Sequence, residues 1–357
     1  MAYIELHQKQ LKKNYDFLNK LFKEEGKEWA IVSKILCGTQ SFLEEVVALG
    51  IKEICDARIS NLKQIKEIDS TIDTVYIKPP AKDQIEELVK YADASFNTEY
   101  KTIQWISEEA GKQNKMHKVI IMIELGDLRE GVMGENLMDF YESVFRLPNI
   151  KVTGIGTNLN CVSGVYPSED KLIQLCLYEQ LIEARFDRPI PWVTGGTSVV
   201  LPLLFKKQVP AGVNHFRVGE ALFFGNDLWT DETIEGMSSE VFKLHAQIIE
   251  ITEKPIVPVG FLGTNPSGEQ AEFTEEDYGK TSKRAILDLG VLDVSDPKFI
   301  IPEDKELEFI GGSSDMLVVS LDDSARNYKI GDYLTFDLKY MGALRLLNSD
   351  YIEKRVV

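Results

Sequence analysis

Over the first two thirds of the chain, short aliphatic runs alternate with amphipathic stretches. The runs that read as strands are AIVSK (30–34), KEICDA (52–57), TVYIK (74–78), ASFN (94–97), KVIIMIE (118–124), VTGIGTN (152–158), PWVT (191–194) and NHFRVG (214–219). Near-continuous aliphatic strands of this kind are buried on both faces, as in a parallel sheet. Between them SFLEEVVALG (41–50), ISNLKQIKEI (59–68), KDQIEELVKY (82–91) and KLIQLCLYEQLIEARF (171–186) carry helical spacing. Eight strand-then-helix units predict an α/β fold, a (β/α)8 TIM-like barrel over residues 1–230. A doubly wound open sheet is the alternative, since closure is not written in a one-dimensional pattern.

Near residue 230 the texture changes. VFKLHAQIIEI (241–251), RAILDLGVL (284–292), MLVVSL (316–321) and YLTFDLKY (333–340) read as strands between Gly-, Pro- and Asp-rich turns. FLGTNPSGEQAEFTEEDYG (261–279) reads as a long polar loop. A C-terminal all-β domain over 231–357 is therefore expected to follow the barrel.

The 357 residues suit two domains, with 44% hydrophobic and 27% charged residues, ordinary for a globular chain. A net charge of −17 argues against nucleic-acid and anionic-membrane partners, both of which need basic patches. The opening MAYIELHQKQ lacks the basic and apolar regions of a signal peptide, and no apolar run is long enough to span a membrane. The four cysteines, Cys37, Cys55, Cys161 and Cys176, form no C-x-x-C pair, as expected of reduced thiols. A soluble cytoplasmic protein is the expectation.

Barrel enzymes place their active sites at the carboxyl ends of the strands. The polar groups there are Lys34, Asp56 with Arg58, Lys78, Asn97, Arg129, Asn158, the Thr194–Ser198 turn and Arg217. Lys34 ends the first strand, and a desolvated lysine at a barrel mouth suits Schiff-base chemistry. The bland alternative is a lysine that snorkels to solvent. TGGTSVV (194–200) offers the amides of Gly195 and Gly196 and the hydroxyls of Thr194, Thr197 and Ser198 to a phosphate. The same residues also make an ordinary capped turn. HFRVGEALFFG (215–225) puts Arg217 on the eighth strand ahead of Gly219 and Glu220, unless Arg217 merely pairs with a neighbouring carboxylate. IELGDLREGVMG (123–134) carries Arg129, for which a surface ion pair with Asp127 or Glu130 is the alternative. A Schiff-base lysine, a phosphate cradle and a second cation together point to pyridoxal 5'-phosphate.

In this order Lys34, Arg129, TGGTS and R-V-G (217–219) resemble the alanine racemase-like pyridoxal phosphate enzymes of the barrel type. The wording GDLREGV, TGGTS, NHFRVGEA and GGSSDMLVV is similar to the ornithine racemase branch, and the resemblance covers essentially the whole chain. It implies that Lys34 holds the cofactor and serves as a base on one face, and that Arg217 faces the pyridine nitrogen. It further implies that Thr197, Ser198 and the amides near Gly219 and Glu220 contact the phosphate, and that Arg129 lies near the phenolic oxygen. Tyr340 in LKYMGALRLL matches a tyrosine at the phosphate more loosely.

The chain also departs from alanine racemase proper. Gly38 stands where a tyrosine contacts the phosphate, Asn158 where a histidine stacks on the ring, and Met122 where a lysine is carbamylated. Val291 falls near the tyrosine that acts as the opposite-face base. The turn IGGSSDML (310–317) is the most polar turn leading into an apolar strand of the β domain, and the resemblance places a loop over the partner's cofactor there, with Ser314 and Asp315 as candidate catalytic groups, unless it is only a tight turn.

An amino-acid racemase acting on a small-molecule amino acid is therefore expected, ornithine first, in a homodimer whose active sites are shared between subunits. Alanine or broader lysine and arginine racemisation is the alternative, as is a non-catalytic cofactor-homeostasis protein, which the β domain disfavours. Metal-dependent aldolases and dehydratases of the same barrel need His and Cys ligands in the β domain, where this chain has His245 and no cysteine. No metal is expected.

Overall fold

The computed structural model describes residues 2–264, 270 and 272–357, so the polar loop predicted at 261–279 falls partly outside the described residues. The chain divides into two compact units: residues 7–241, and residues 2–6 with 242–355.

In the first unit, eight parallel strands close into a barrel: β2 (Glu28–Val32), β3 (Glu53–Asp56), β4 (Asp73–Tyr76), β5 (Ala94–Asn97), β6 (His117–Met122), β7 (Ile150–Gly156), β8 (Trp192–Thr194) and β9 (His215–Val218). Closure runs through β2 and β9, where Trp29 pairs with Phe216 and Ala30 with Arg217. The expected barrel is the observed one, and the open-sheet alternative falls away. Alternation explains why these strands read as unbroken apolar runs. Ala30, Val32, Cys55, Val75, Ala94, Phe96, Ile120 and Met122 fill the interior, while Ile31, Ile54, Tyr76, Val119 and Ile121 are buried on the opposite faces. The surrounding helices bury only one stripe each, such as Phe42, Leu43 and Val46 of the helix Gln40–Ala48.

The unit division falls between Val241 and Phe242, later than the change of texture near 230, and Asn14 supplies the reason. Its amide donates to the carbonyls of Leu222 (3.0 Å) and Ser238 (2.8 Å) and accepts from the Ser238 N–H (2.7 Å). Three bonds from one fully buried side chain hold the segment through Ser238 to the barrel's first helix, Gln8–Glu24.

The second unit is an eight-stranded, mostly antiparallel sheet built around the long β10 (Phe242–Pro255). β10 pairs with β1 (Tyr3–Leu6), β11 (Thr281–Leu287) and β15 (Tyr333–Leu338); β12 (Ile300–Pro302), β13 (Glu308–Gly312), β14 (Leu317–Ser320) and β16 (Glu353–Val356) complete it. This is the expected β domain, and it also holds the helices Val291–Val294 and Tyr340–Asn348. No helix among the described residues is long and apolar enough to cross a membrane.

His117 opens β6 and is buried, its Nε2 lying 2.8 Å from Ser95 Oγ. Burial pushes its pKa from 6.5 down to about 4. The unfolded chain therefore binds a proton below 6.5 that the folded chain refuses until about 4. His117 thus stabilises the fold above pH 6.5, and this contribution is lost as pH falls through that window; at about 1.4 kcal/mol per unit it amounts to about 3 kcal/mol. Urea unfolding at a series of pH values should show His117→Gln losing stability less steeply than the wild type between these limits. Equal slopes would contradict the assignment.

Candidate active site

The carboxyl ends of the barrel strands carry the residues that the sequence singled out. Lys34 lies past the end of its strand. β2 stops at Val32, Ser33 is buried, and Lys34 begins a short 3-10 turn, Lys34–Leu36, with an exposed side chain. The expectation of a desolvated lysine ending the strand is corrected accordingly. The turn after the strand lifts the ammonium out of the aliphatic layer and leaves it accessible at the barrel mouth.

A buried carboxylate braces this turn from the outer side of the barrel. Asp56 accepts from Ser33 Oγ (2.7 Å), the Arg58 N–H (2.9 Å) and Asn61 Nδ2 (3.1 Å). Burial pushes the Asp56 carboxyl up, and the three donors hold it down. Of the pair the sequence offered as a mouth group, Asp56 is thus committed to the side chain of Ser33, the residue before Lys34, and to Arg58 and Asn61 after its own strand.

Arg217 is the central cation. Its side chain follows His215 on the inward face of β9, is 2% exposed, and lies over the Phe96 ring at 5.0 Å. The guanidinium donates to Thr194 Oγ1 and, at 2.8 Å, to the Thr157 carbonyl. Burial pushes its pKa down to about 10, while Cys55 and Glu130 oppose that shift. Both acceptors are neutral, so the salt bridge offered as the bland alternative is absent among the described residues.

The turn after β8 meets the end of β9. Ser198 Oγ accepts from the amides of Gly219 (3.3 Å) and Ala221 (3.1 Å), and the Gly195 N–H donates to the His215 carbonyl (2.9 Å). Gly196 has φ of +136°, a conformation that favours glycine, and nothing lies within 4 Å of where its Cβ would be. Thr197 opens the turn, and Glu220 begins the helix Glu220–Phe224. Burial raises the pKa of Glu220, and the Lys34 ammonium opposes the shift. Lys34, Thr194–Ser198, Arg217, Gly219 and Glu220 are therefore gathered at one mouth.

Arg129 belongs there with a different partner set. It forms a two-pronged ion pair with Glu130 and donates to Cys161 Sγ at 2.8 Å. The Glu130 bonds raise its pKa. The surface-pair alternative thus describes its contacts, although Arg129 and Glu130 both act electrostatically on Arg217. Asp127, fully buried, accepts from the amides of Cys161 and Val162, each at 3.0 Å, and clasps the loop after β6 to the loop after β7. Asn158 follows β7 and is half-buried.

The remaining candidates lie in the second unit. Ser314 and Asp315 are exposed in the hairpin between β13 and β14, where the Ser313 N–H donates to the Met316 carbonyl (2.7 Å) and Ser314 Oγ to Asp315 Oδ2 (2.6 Å). A tight turn was one of the two readings of this stretch, and its backbone is one. The turn sits on the position of interest: the Val291 and Leu292 amides donate to the carbonyls of Ser313 and Ser314, each at 3.0 Å. Tyr340 begins the helix Tyr340–Asn348 rather than ending a strand. His245 is engaged by Glu5 and Thr335, each at 3.1 Å, and no cluster of three metal-binding side chains occurs among the described residues.

Sequence reasoning missed Glu53, His215 and Trp192 in the barrel interior. Each stands two residues before a residue that was flagged or buried inward, and strand alternation carries that signal.

A closed parallel barrel with a lysine, a buried arginine and a glycine-hydroxyl turn at its mouth, joined to a β domain, defines a barrel enzyme. The family model for the alanine racemase N-terminal domain matches residues 6–227, and the chain belongs to that family. It is 37% identical over 348 residues to the ornithine racemase of Acetoanaerobium sticklandii, covering 97% of both chains. It is 30% identical over 346 residues to the lysine racemase of Thermotoga maritima, covering 97% of this chain and 96% of that one. The alanine racemase of Bartonella henselae, solved with covalently bound pyridoxal phosphate, has the same fold: TM-score 0.75 at 14% identity, covering 100% of this chain and 99% of that one.

Replacing Asp56 by Asn leaves one oxygen to serve three donors. Asp56→Asn is expected to cost about 2 kcal/mol in urea unfolding and to speed amide exchange at Cys37 and Thr39, whose N–H groups close the Lys34 turn. Unchanged exchange at those amides would show that the carboxylate does not brace the turn.

Proposed function

We propose that the protein is a pyridoxal phosphate-dependent racemase that inverts a basic amino acid, ornithine foremost. The observation that carries this reading is the convergence of Lys34, buried Arg217 and the Thr194–Ser198 turn at one barrel mouth, in a chain 37% identical to an ornithine racemase over nearly its full length.

The residues fit the cofactor. Lys34 offers an accessible amine for its aldehyde carbon, and Arg217 a fixed donor for its ring nitrogen. The open space above Gly196 and the hydroxyls of Thr197 and Ser198 suit its phosphate. When bound, pyridoxal phosphate supplies an electron sink for the pair left on Cα. The protein's part is then proton handling and orientation. The Lys34 amine takes or returns the Cα proton on one face. Arg217, held by Thr194 and Thr157, keeps its protons on a guanidinium and so places a donor rather than an acid beside the ring. Arg129, tied to Glu130 and Cys161, adds positive charge at the mouth.

Inversion needs a group on the opposite face. Ser314 and Asp315 are assigned that role, supplied by a second subunit in a homodimer. Their turn rests directly on Val291, the position at which the resemblance places the missing tyrosine.

Borohydride reduction of protein incubated with pyridoxal phosphate should put the pyridoxyl group on the Lys34 peptide, and a panel of L-amino acids should show ornithine inverted fastest. Label on Lys78, or alanine inverted faster than ornithine, would overturn the respective assignment.

Mixing inactive Lys34→Ala chains with inactive Ser314→Ala/Asp315→Ala chains should restore activity at one kind of mixed site. If heterodimers form and stay inactive, the opposite-face group is not shared between subunits in this way.

A further inference from the structure

Four polar side chains from three strands form one line through the barrel interior. Glu53 Oε1 lies 3.2 Å from His215 Nε2, and His215 Nδ1 lies 3.0 Å from Thr194 Oγ1. Arg217 donates to that same Thr194 oxygen. The His215 ring stacks on Trp192 with centroids 5.0 Å apart and planes within 5°. Cys55 Sγ, 3.8 Å away, donates to the same oxygen of Glu53. The side chains of His215 and Glu53 are 4% and 12% exposed, so solvent does little to replace these contacts.

One direction of the line satisfies every group on it. A guanidinium only donates, so Thr194 Oγ1 accepts from Arg217. A hydroxyl has one proton, and donating it to Nδ1 satisfies both groups. A carboxylate only accepts, so Nε2 carries the imidazole proton. The order Arg217 to Thr194 to His215 to Glu53 gives every group on the line a partner, with the imidazole N–H on Nε2.

A buried guanidinium needs a counter-charge, and the two oxygens that touch Arg217 are neutral. We infer that Glu53 and His215 are positioning residues for Arg217: through Thr194 they deliver negative charge to the buried guanidinium and fix which N–H groups remain for the barrel mouth. The inference rests on the proposed role of Arg217 toward the cofactor's ring nitrogen. A chain of bonds ending in an ion polarises each member and strengthens the whole. Without the charge at its far end, Thr194 is a weaker acceptor and Arg217 a looser, more acidic donor.

The first test needs no cofactor. Nitrogen-15 NMR of the histidines in the cofactor-free protein, with the His215 signal assigned by its loss in His215→Gln, should show the neutral Nε2–H form. An Nδ1–H or doubly protonated ring would overturn the direction of the line. The second test uses Glu53→Gln, which keeps an oxygen opposite Nε2 and removes only the charge. Pyridoxal phosphate affinity should fall about tenfold and the absorbance of the bound cofactor with substrate should gain at long wavelength. The melting temperature of the cofactor-free protein should stay within about 3 °C of wild type. His215→Gln should give the same change, and the double variant no more than either single one, as expected for members of one chain. Wild-type affinity and absorbance in Glu53→Gln, or a lowered melting temperature alone, would overturn the inference. Arg217→Lys separates the two levels. If it leaves affinity and absorbance untouched, the assignment of Arg217 fails; if it changes them and Glu53→Gln does not, only the transmission from Glu53 fails.

Discussion

A cation buried inside a closed aliphatic barrel is the constraint around which this mouth is built. Arg217 sits on the inward face of β9 at 2% exposure, and its desolvation has to be offset locally. The Thr157 carbonyl, the Thr194 hydroxyl and the Phe96 face offset part of it. Room for the side chain comes from the neighbouring positions. A Cβ on Gly156 would lie 2.4 Å from Thr194 Cγ2, and one on Gly219 3.0 Å from the Val32 carbonyl oxygen. The glycines of R-V-G (217–219) and G-I-G (154–156) are thus partly a packing requirement. Small residues are needed wherever the arginine and the stacked Trp192–His215 pair take up the interior.

The barrel was legible because a strand buried on both faces leaves a short run of apolar, largely β-branched residues, and eight such runs alternate with amphipathic helical stretches. Two features escaped for identifiable reasons. β1 pairs with β10, from Tyr3 opposite His245 to Leu6 opposite Phe242, and a four-residue strand with so distant a partner has no local pattern to announce it. The end of the first unit escaped because Asn14 fastens Ser238 across the whole barrel sequence, a hydrogen-bonding fact with no periodic trace. Lys34 was placed correctly at the mouth but assigned to the strand. The change from extended chain to a 3-10 turn occurs at Ser33, whose hydroxyl is drawn to Asp56.

The candidate site was legible in kind and less so in wiring. Single motifs named Lys34, Arg217 and the glycine turn, whereas the contacts that hold them come from other strands. Alternation gave a signal that was not read: Trp192 and Thr194, His215 and Arg217, and Glu53 and Cys55 each stand two apart on an inward face. Inward polar residues in an aliphatic barrel are costly, so several of them must meet one another. Arg129 illustrates the converse. Its motif suggested a cation for the cofactor with a Glu130 ion pair as the alternative; the guanidinium is shared between Glu130 and Cys161, and the Cys161 contact is one that sequence spacing alone does not reveal.

The chemistry proposed for this mouth asks different things of its two cations. Lys34 must exchange a proton, so it needs an accessible amine on a turn that does not wander, and Asp56 with Ser33 and Asn61 meets the second need without touching the first. Arg217 must not exchange one, because a donor that gave its proton to the ring nitrogen would act as an acid. Burial alone works against that requirement by pushing its pKa down to about 10. Negative charge placed behind the guanidinium, on the side away from the mouth, works in its favour and leaves the mouth-facing side free. Glu53 and His215 are the first residues of β3 and β9, at the strand ends away from the mouth, so the same strand alternation that closes the barrel also determines from which side the arginine is supported.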